Sequence, residues 1–285
     1  MARMAAMAAT FAVSVGVADI RREPDPSAEL VTQALMNMPA VAGEVSDAWT
    51  YVTLPDYSGW IHSDELAEPV VKGFCKIGEH CATPLELVAV VREARALLYV
   101  DATGNEELDM LYLSTTLPLL DTTRPDRLQV ALPGECAGWI ARQAVSIRRR
   151  EHAYQRAEVA VVTEHARAFL GVPYLWGGTC WEGIDCSGFV QVCYRMGGYV
   201  LPRDADQQYD ALPRPVARED MQEGDLIFFG AQHITHVALA LNREEYIHAE
   251  GVRYGRVLVN SFDPTHEHFD QRLATLVRAI KRVVM

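Results

Sequence analysis

The stretch "GIDCSGF" sets Cys186 at the head of an apolar run, "FVQVCYRM", with helical spacing. Phe189, Val190, Cys193 and Met196 fall on one face of that helix, and Gly197-Gly198 stops it. A cysteine at a helix N-terminus lies beside unpaired backbone N–H groups and the positive end of the macrodipole. Those surroundings favour thiolate, which gives Cys186 a physical reason to act as a nucleophile. Cys193, two turns into the helix, reads as core, and Cys180 reads as a loop thiol with no such field.

A thiol nucleophile needs an imidazole to take its proton and return it to the leaving amine. Of the nine histidines, His236 in "THVALAL" and His248 in "YIHAE" lie on neighbouring candidate strands joined by a turn near "NREE". If paired residue numbers there sum to an even value of about 484–486, the two share a face as opposite or diagonal neighbours. A slip of one residue separates them. His233, nearer the strand start, is the alternative base. A metal set of Cys180, Cys186 and His236 lacks the close ligand spacing of structural zinc sites. Cys75 and Cys81 fit a disulfide or part of a metal site with His80, and neither has C-x-x-C spacing. No cofactor or metal is expected.

These residues need a scaffold. "VVTEHARAFLGVPY" carries Val161, Val162, Ala166 and Phe169 at helical spacing and ends at Gly171 and Pro173, which predicts a helix. "DLIFF", "HITHVALAL", "EEYIHAE" and, more loosely, "VLVNSF" read as strands, and "QRLATLVRAIKRV" as a final helix. Helices followed by strands predict an α+β domain with an antiparallel sheet.

Upstream, a weak repeat links "WTYVTLPDYSGWI" at 49–61 to "DRLQVALPGECAGWI" at 126–140. Each has an alternating strand, Leu-Pro, a short turn and Gly-Trp-Ile. Short strands with such turns predict small all-β barrels, at 8–68 and 85–148. The domains are therefore expected at 1–68, 69–150 (a connector plus the second barrel) and 151–285. Trp60 and Trp139 are expected as core anchors. At the start, Arg3 and an Ala/Val-rich run with Gly16 and Ala18 fit a short signal peptide. The competing expectation makes "FAVSVGVADI" the first strand, which cleavage after Ala18 would delete.

The formal net charge of −12 argues against nucleic acid and anionic membranes as partners. No window of about 18 apolar residues is present, so no transmembrane helix is expected. Six cysteines with one at work leave five, which cannot all pair; this favours a reducing compartment.

"GVPYLWGG", "DCSGF", "LPR", "GDLIFF", "HVAL" and "IHA" stand in the order and spacing of the NlpC family of cell-wall cysteine peptidases. The Gly-Trp-Ile units resemble the closing motif of bacterial SH3-like (SH3b) domains. The whole chain resembles the γ-D-glutamyl-L-diamino acid endopeptidases of dipeptidyl-peptidase VI type. The implied fold is two SH3-like barrels followed by a papain-like α+β domain. The implied activity is hydrolysis after D-Glu in peptidoglycan stem peptides with a free N-terminal L-Ala.

Carried onto this sequence, the resemblance makes Cys186 the nucleophile, His236 the base and His248 the third polar group. Tyr174 steadies the oxyanion together with the Cys186 backbone N–H. Asp185, Ser187 and Trp176 line the groove. Asp204 contacts the substrate ammonium, although Ala205 stands where many relatives have serine. Tyr57, with an acidic residue of the first barrel (Glu23 or Glu29), closes one end. The expectation is a monomeric cytoplasmic enzyme acting on peptidoglycan-derived peptides. The alternatives are a secreted hydrolase of polymeric peptidoglycan and a non-catalytic SH3-like wall-binding protein.

Overall fold

The computed structural model describes residues 9–70, 76–77, 80–81 and 86–283. The chain forms two units, residues 1–153 and 154–285, each with its own core. Most of the signal-peptide stretch, and Cys75, lie outside the described residues; of Cys81 only the backbone is described.

The first unit is built of strands. β1 (Thr10–Val13), β2 (Val17–Arg21), β3 (Leu30–Leu35), β4 (Pro39–Ser46), β5 (Trp49–Thr53), β6 (Ser58–His62) and β7 (Leu66–Ala67) make one seven-stranded sheet in the order β3-β2-β6-β5-β4-β1-β7. A short pair follows, β8 (Lys76–Ile77) with β9 (His80–Cys81). Next come β10 (Leu87–Val91), β11 (Arg95–Tyr99), β12 (Glu107–Tyr112), β13 (Thr116–Asp121), β14 (Arg127–Leu132), β15 (Cys136–Ala141) and β16 (Val145–Arg149). Their order is β12-β11-β15-β14-β13-β10-β16, the first sheet's order repeated. The two quoted repeats are the equivalent hairpins β5–β6 and β14–β15.

Two expectations change here. "FAVSVGVADI" is two strands, β1 and β2, because the chain turns at Ser14–Gly16. Gly16 sits against the Met110 carbonyl, where a Cβ has no room, and its N–H donates to Asp109 Oδ2 at 2.7 Å. In each Gly-Trp-Ile the isoleucine is fully buried, Ile61 and Ile140 in the two cores. Trp60 is buried as expected, edge-on to Tyr51, whereas Trp139 is only half-buried. Met36 enters the core of the second sheet, and Asn37 Nδ2 donates to the Thr116 carbonyl at 2.9 Å, so the two sheets form one unit.

In the second unit, α1 (Val159–Ala168) packs on α2 (Cys186–Met196), with the small hairpin β17 (Thr179–Cys180) and β18 (Gly183–Ile184) between them in sequence. α3 (Ala205–Ala211) follows, then β19 (Arg214–Val216), β20 (Leu226–Phe229), β21 (His236–Ala240), β22 (Glu245–Glu250), β23 (Arg256–Ser261), α4 (Gln271–Leu276) and β24 (Val277–Arg282). The sheet is antiparallel, in the order β19-β24-β20-β21-β22-β23, and α2 lies on β21 and β22. This is the α+β arrangement expected.

The final helix is shorter than expected. α4 ends at Leu276 and the chain continues as β24 between β19 and β20. The run "LATLVRAI" fits both periods, and the open edge of β20 decides the outcome by pairing Phe228 with Ala279 and Ile227 with Ile280. Cys180 is a buried strand residue rather than a loop thiol.

Candidate active site

Cys186 is the first residue of α2, and Asp185 is its N-cap, accepting from Gly188 N–H at 2.7 Å. The same carboxylate accepts from Gly177 N–H at 2.9 Å and from both Nη atoms of Arg203, at 3.0 and 2.7 Å. Arg203 is 1% exposed and also donates to Ser187 Oγ at 3.0 Å. This fork-to-carboxylate pair ties the loop before the nucleophile to the segment ahead of α3. Gly188 is needed because a Cβ there would stand 2.5 Å from the Gly178 carbonyl oxygen. The "DCSG" motif is thus a cap, a nucleophile and a close approach in consecutive positions.

Asp185 and Ser187 are expected to line the groove, but their side chains are buried and bonded inward. These contacts hold the loop that carries the nucleophile in place.

The imidazoles come from the sheet. Leu239 pairs with Ile247 and Ala240 with Tyr246, so paired numbers sum to 486. His236 and His248 are therefore diagonal neighbours on one face, and His236 Nε2 lies 2.7 Å from His248 Nδ1. Across the next pair, His248 opposes Leu258 and Tyr246 opposes Asn260, which makes Asn260 the next diagonal neighbour. His248 Nε2 is 2.8 Å from Asn260 Oδ1, and Asn260 Nδ2 donates to the His268 carbonyl at 2.6 Å. His248 and Asn260 are buried, whereas His236 is half-buried. His233, the alternative base, is exposed in the loop before β21.

The backbone N–H of Val237, next to His236, hydrogen-bonds the sulfur of Cys186, as does that of Ser187. Both bonds favour thiolate, as the helix end was expected to. Burial outweighs them and the thiol is pushed up to about 12. Burial also holds His236 well below its ordinary value and His248 down at about 4. Burial of the thiol and of the imidazole thus works against the charge on the sulfur that the helix end favours.

Tyr174 bridges to Ile184, and burial together with the neighbouring Cys186 and Asp185 pushes its phenol upward, so it remains a donor. Its ring lies on Gly251, where a Cβ would be 2.5 Å from it. Trp176 is 61% exposed on the same loop. Asp204 is half-buried at the start of α3 and accepts from Gln207 Nε2 at 3.3 Å. In the first unit, Tyr57 packs against the core of its sheet, Glu23 is exposed, and Glu29 pairs with Arg22 at 2.6 Å. Among the described residues no three His, Cys, Asp or Glu side chains converge as a metal-holding group.

Three functional positions were not foreseen: Asn260, the Arg203 partner of Asp185, and Gly251 beneath Tyr174. Asn260 had a signal, since it follows His248 by twelve residues just as His248 follows His236.

Residues 171–278 match the NlpC/P60 family, and residues 20–66 match the bacterial dipeptidyl-peptidase Sh3 domain. The chain is 30% identical to dipeptidyl-peptidase 6 of Lysinibacillus sphaericus, over 93% of this chain and 96% of that one. It is 26% identical to a γ-D-glutamyl-L-lysine dipeptidyl-peptidase of Bacillus cereus, over 78% and 67% respectively. A crystal structure of an NlpC/P60 family protein from Bacillus cereus superposes with a TM-score of 0.82, at 23% identity, covering 96% of this chain and 99% of that one.

Proposed function

The chain belongs to the NlpC/P60 family, and on that footing we propose that it is a cysteine peptidase cutting peptidoglycan stem peptides after D-Glu. Its substrate is a fragment with a free N-terminal L-Ala, and the bond broken is γ-D-Glu to the diamino acid. The observation that carries this reading is Cys186 at the head of α2, bonded by Val237 N–H beside the His236–His248–Asn260 chain.

His236 takes the Cys186 thiol proton as the sulfur attacks the γ-carbonyl, and the oxyanion is held by Tyr174 and the Cys186 N–H. The protonated His236 then gives that proton to the departing diamino-acid nitrogen, leaving a thioester. A water, deprotonated by His236, hydrolyses the thioester and frees the thiol.

Asp204 supplies a carboxylate for the L-Ala ammonium, since a buried ammonium without a partner is costly. Trp176 gives the groove an apolar wall. The repeated strand order of the first unit supports two SH3-like barrels. The unbridged Cys136, Cys180, Cys186 and Cys193 and the acidic composition support work in a reducing compartment on free fragments, as a monomer.

The test is cleavage of L-Ala-γ-D-Glu-L-Lys and its N-acetylated form by the full chain and by Cys186→Ala. The reading expects cleavage of the free-amine peptide only, none with Cys186→Ala, and little action on intact sacculi. Equal cleavage of both peptides overturns the free-amine requirement. Activity surviving in Cys186→Ala overturns the mechanism.

A further inference from the structure

A backbone carbonyl can only accept hydrogen bonds. The His268 carbonyl takes two, from Asn260 Nδ2 at 2.6 Å and from Ser261 N–H at 3.0 Å. The first settles which way the Asn260 amide points, so its oxygen is the atom 2.8 Å from His248 Nε2. An amide oxygen also only accepts, so His248 Nε2 carries a proton. His248 is fully buried and neutral, which leaves its Nδ1 bare. A bare Nδ1 at 2.7 Å must accept from His236 Nε2, so His236 is protonated there and its own Nδ1 holds the free lone pair.

We propose that Asn260 is a positioning residue that sets the proton register of both imidazoles, with the His268 carbonyl as its fixed end. The effect reaches the thiol through two rings. A neutral His248 released from Asn260 has no reason to prefer Nε2–H. In its other tautomer Nδ1–H faces His236 and donates to His236 Nε2. His236 must then carry its proton on Nδ1, the nitrogen left to act as the base. The register therefore decides whether a base exists at all, and one amide on a third strand holds it.

This inference rests on the peptidase reading for its consequence, but the register itself can be read without any substrate. Imidazole nitrogen resonances of the full chain, labelled with ¹⁵N-histidine, report which ring nitrogen is protonated. The expected result at neutral pH is His236 and His248 both protonated on Nε2 alone. Either ring protonated on Nδ1 overturns the proposal. Asn260→Leu keeps the volume and removes the amide. It is expected to mix the His248 tautomers and lower kcat on L-Ala-γ-D-Glu-L-Lys by about tenfold or more, with KM within about twofold. Asn260→Gln keeps both an amide oxygen for His248 and an amide N–H for the His268 carbonyl, and is expected to restore the Nε2–H register and most of kcat. Unchanged tautomers and kcat in Asn260→Leu overturn the proposal, as does an Asn260→Gln protein that regains the register without kcat. If the wild-type chain cleaves no peptide, the peptidase reading fails while the resonances still decide the register.

Discussion

On the nucleophile's side of the site, Asp185 and Arg203 form an ion pair whose guanidinium is 1% exposed. On the base's side, His236, His248 and Asn260 are joined by hydrogen bonds between neutral groups. Asp185, Arg203, His248 and Asn260 are all buried, yet one side uses full charges and the other neutral groups. The difference follows from geometry. The Asp185 carboxylate and the Arg203 fork meet in two parallel bonds, with Gly177, Gly188 and Ser187 engaging the remaining positions. Desolvation of both charges is offset there. Two imidazoles in contact have no such bidentate partner, so burial opposes a charge on both, and His248 adds to that on His236. One side is thus vulnerable to loss of a partner and the other to acid.

The largest expected effect tests the charged side. Arg203→Met leaves the Asp185 carboxylate buried without its counter-charge, which costs about 3–5 kcal/mol. Thermal unfolding should show the transition of the second unit lowered by roughly 10 °C; a shift within a degree or two would mean the pair contributes little.

The next effect tests the neutral side. His248 has a folded pKa of about 4, below its ordinary 6.5. Between these values the unfolded chain binds a proton that the native chain does not, so stability rises with pH through that window and is complete above it. Acidification from about pH 6.5 to 4 should therefore remove about 3 kcal/mol through this one group. His248→Gln should flatten that part of the pH dependence in urea melts, whereas an unaltered slope would place the charge-sensitive group elsewhere.

Gly188→Ala probes the packing on the nucleophile's side, where a Cβ meets the Gly178 carbonyl. It is expected to cost about 1–3 kcal/mol and to displace Cys186 enough to lower kcat. The fourth prediction changes no stability. Iodoacetamide should alkylate Cys186 slowly at neutral pH and faster only as the solution becomes strongly alkaline, because burial holds the thiol protonated. Rapid alkylation at pH 6 would show a resting ion pair and dissolve the contrast between the sides.

Much of the nucleophile's setting was legible because it is local. "DCSGF" ahead of "VQVCYRM" marks a helix and its first turn, and α2 begins at Cys186. The paired histidines were legible as a condition on register, which the β21–β22 hairpin meets. The repeat was legible in two Gly-Trp-Ile units, whose isoleucines are fully buried and of whose tryptophans only Trp60 is buried. What escaped notice depends on distant partners. Arg203 lies eighteen residues from the carboxylate it holds. "VRAIKR" became β24 because the edge of β20 was open to it. The depressed thiol pKa expected from the helix end was reversed by burial under β21, which no helix-terminus argument contains.

The sequence by itself determined the chemistry available: a cysteine before an apolar helix and two histidines in alternating strands. Tertiary structure alone decided the proton's place and the charge state. Both depend on atoms about 3 Å apart from three strands and a loop, at a range where single lone pairs select between tautomers. Helix ends and strand faces are local periodicities and can be read along a chain. The strand register and the burial that keeps this pair neutral come from packing of the whole second unit.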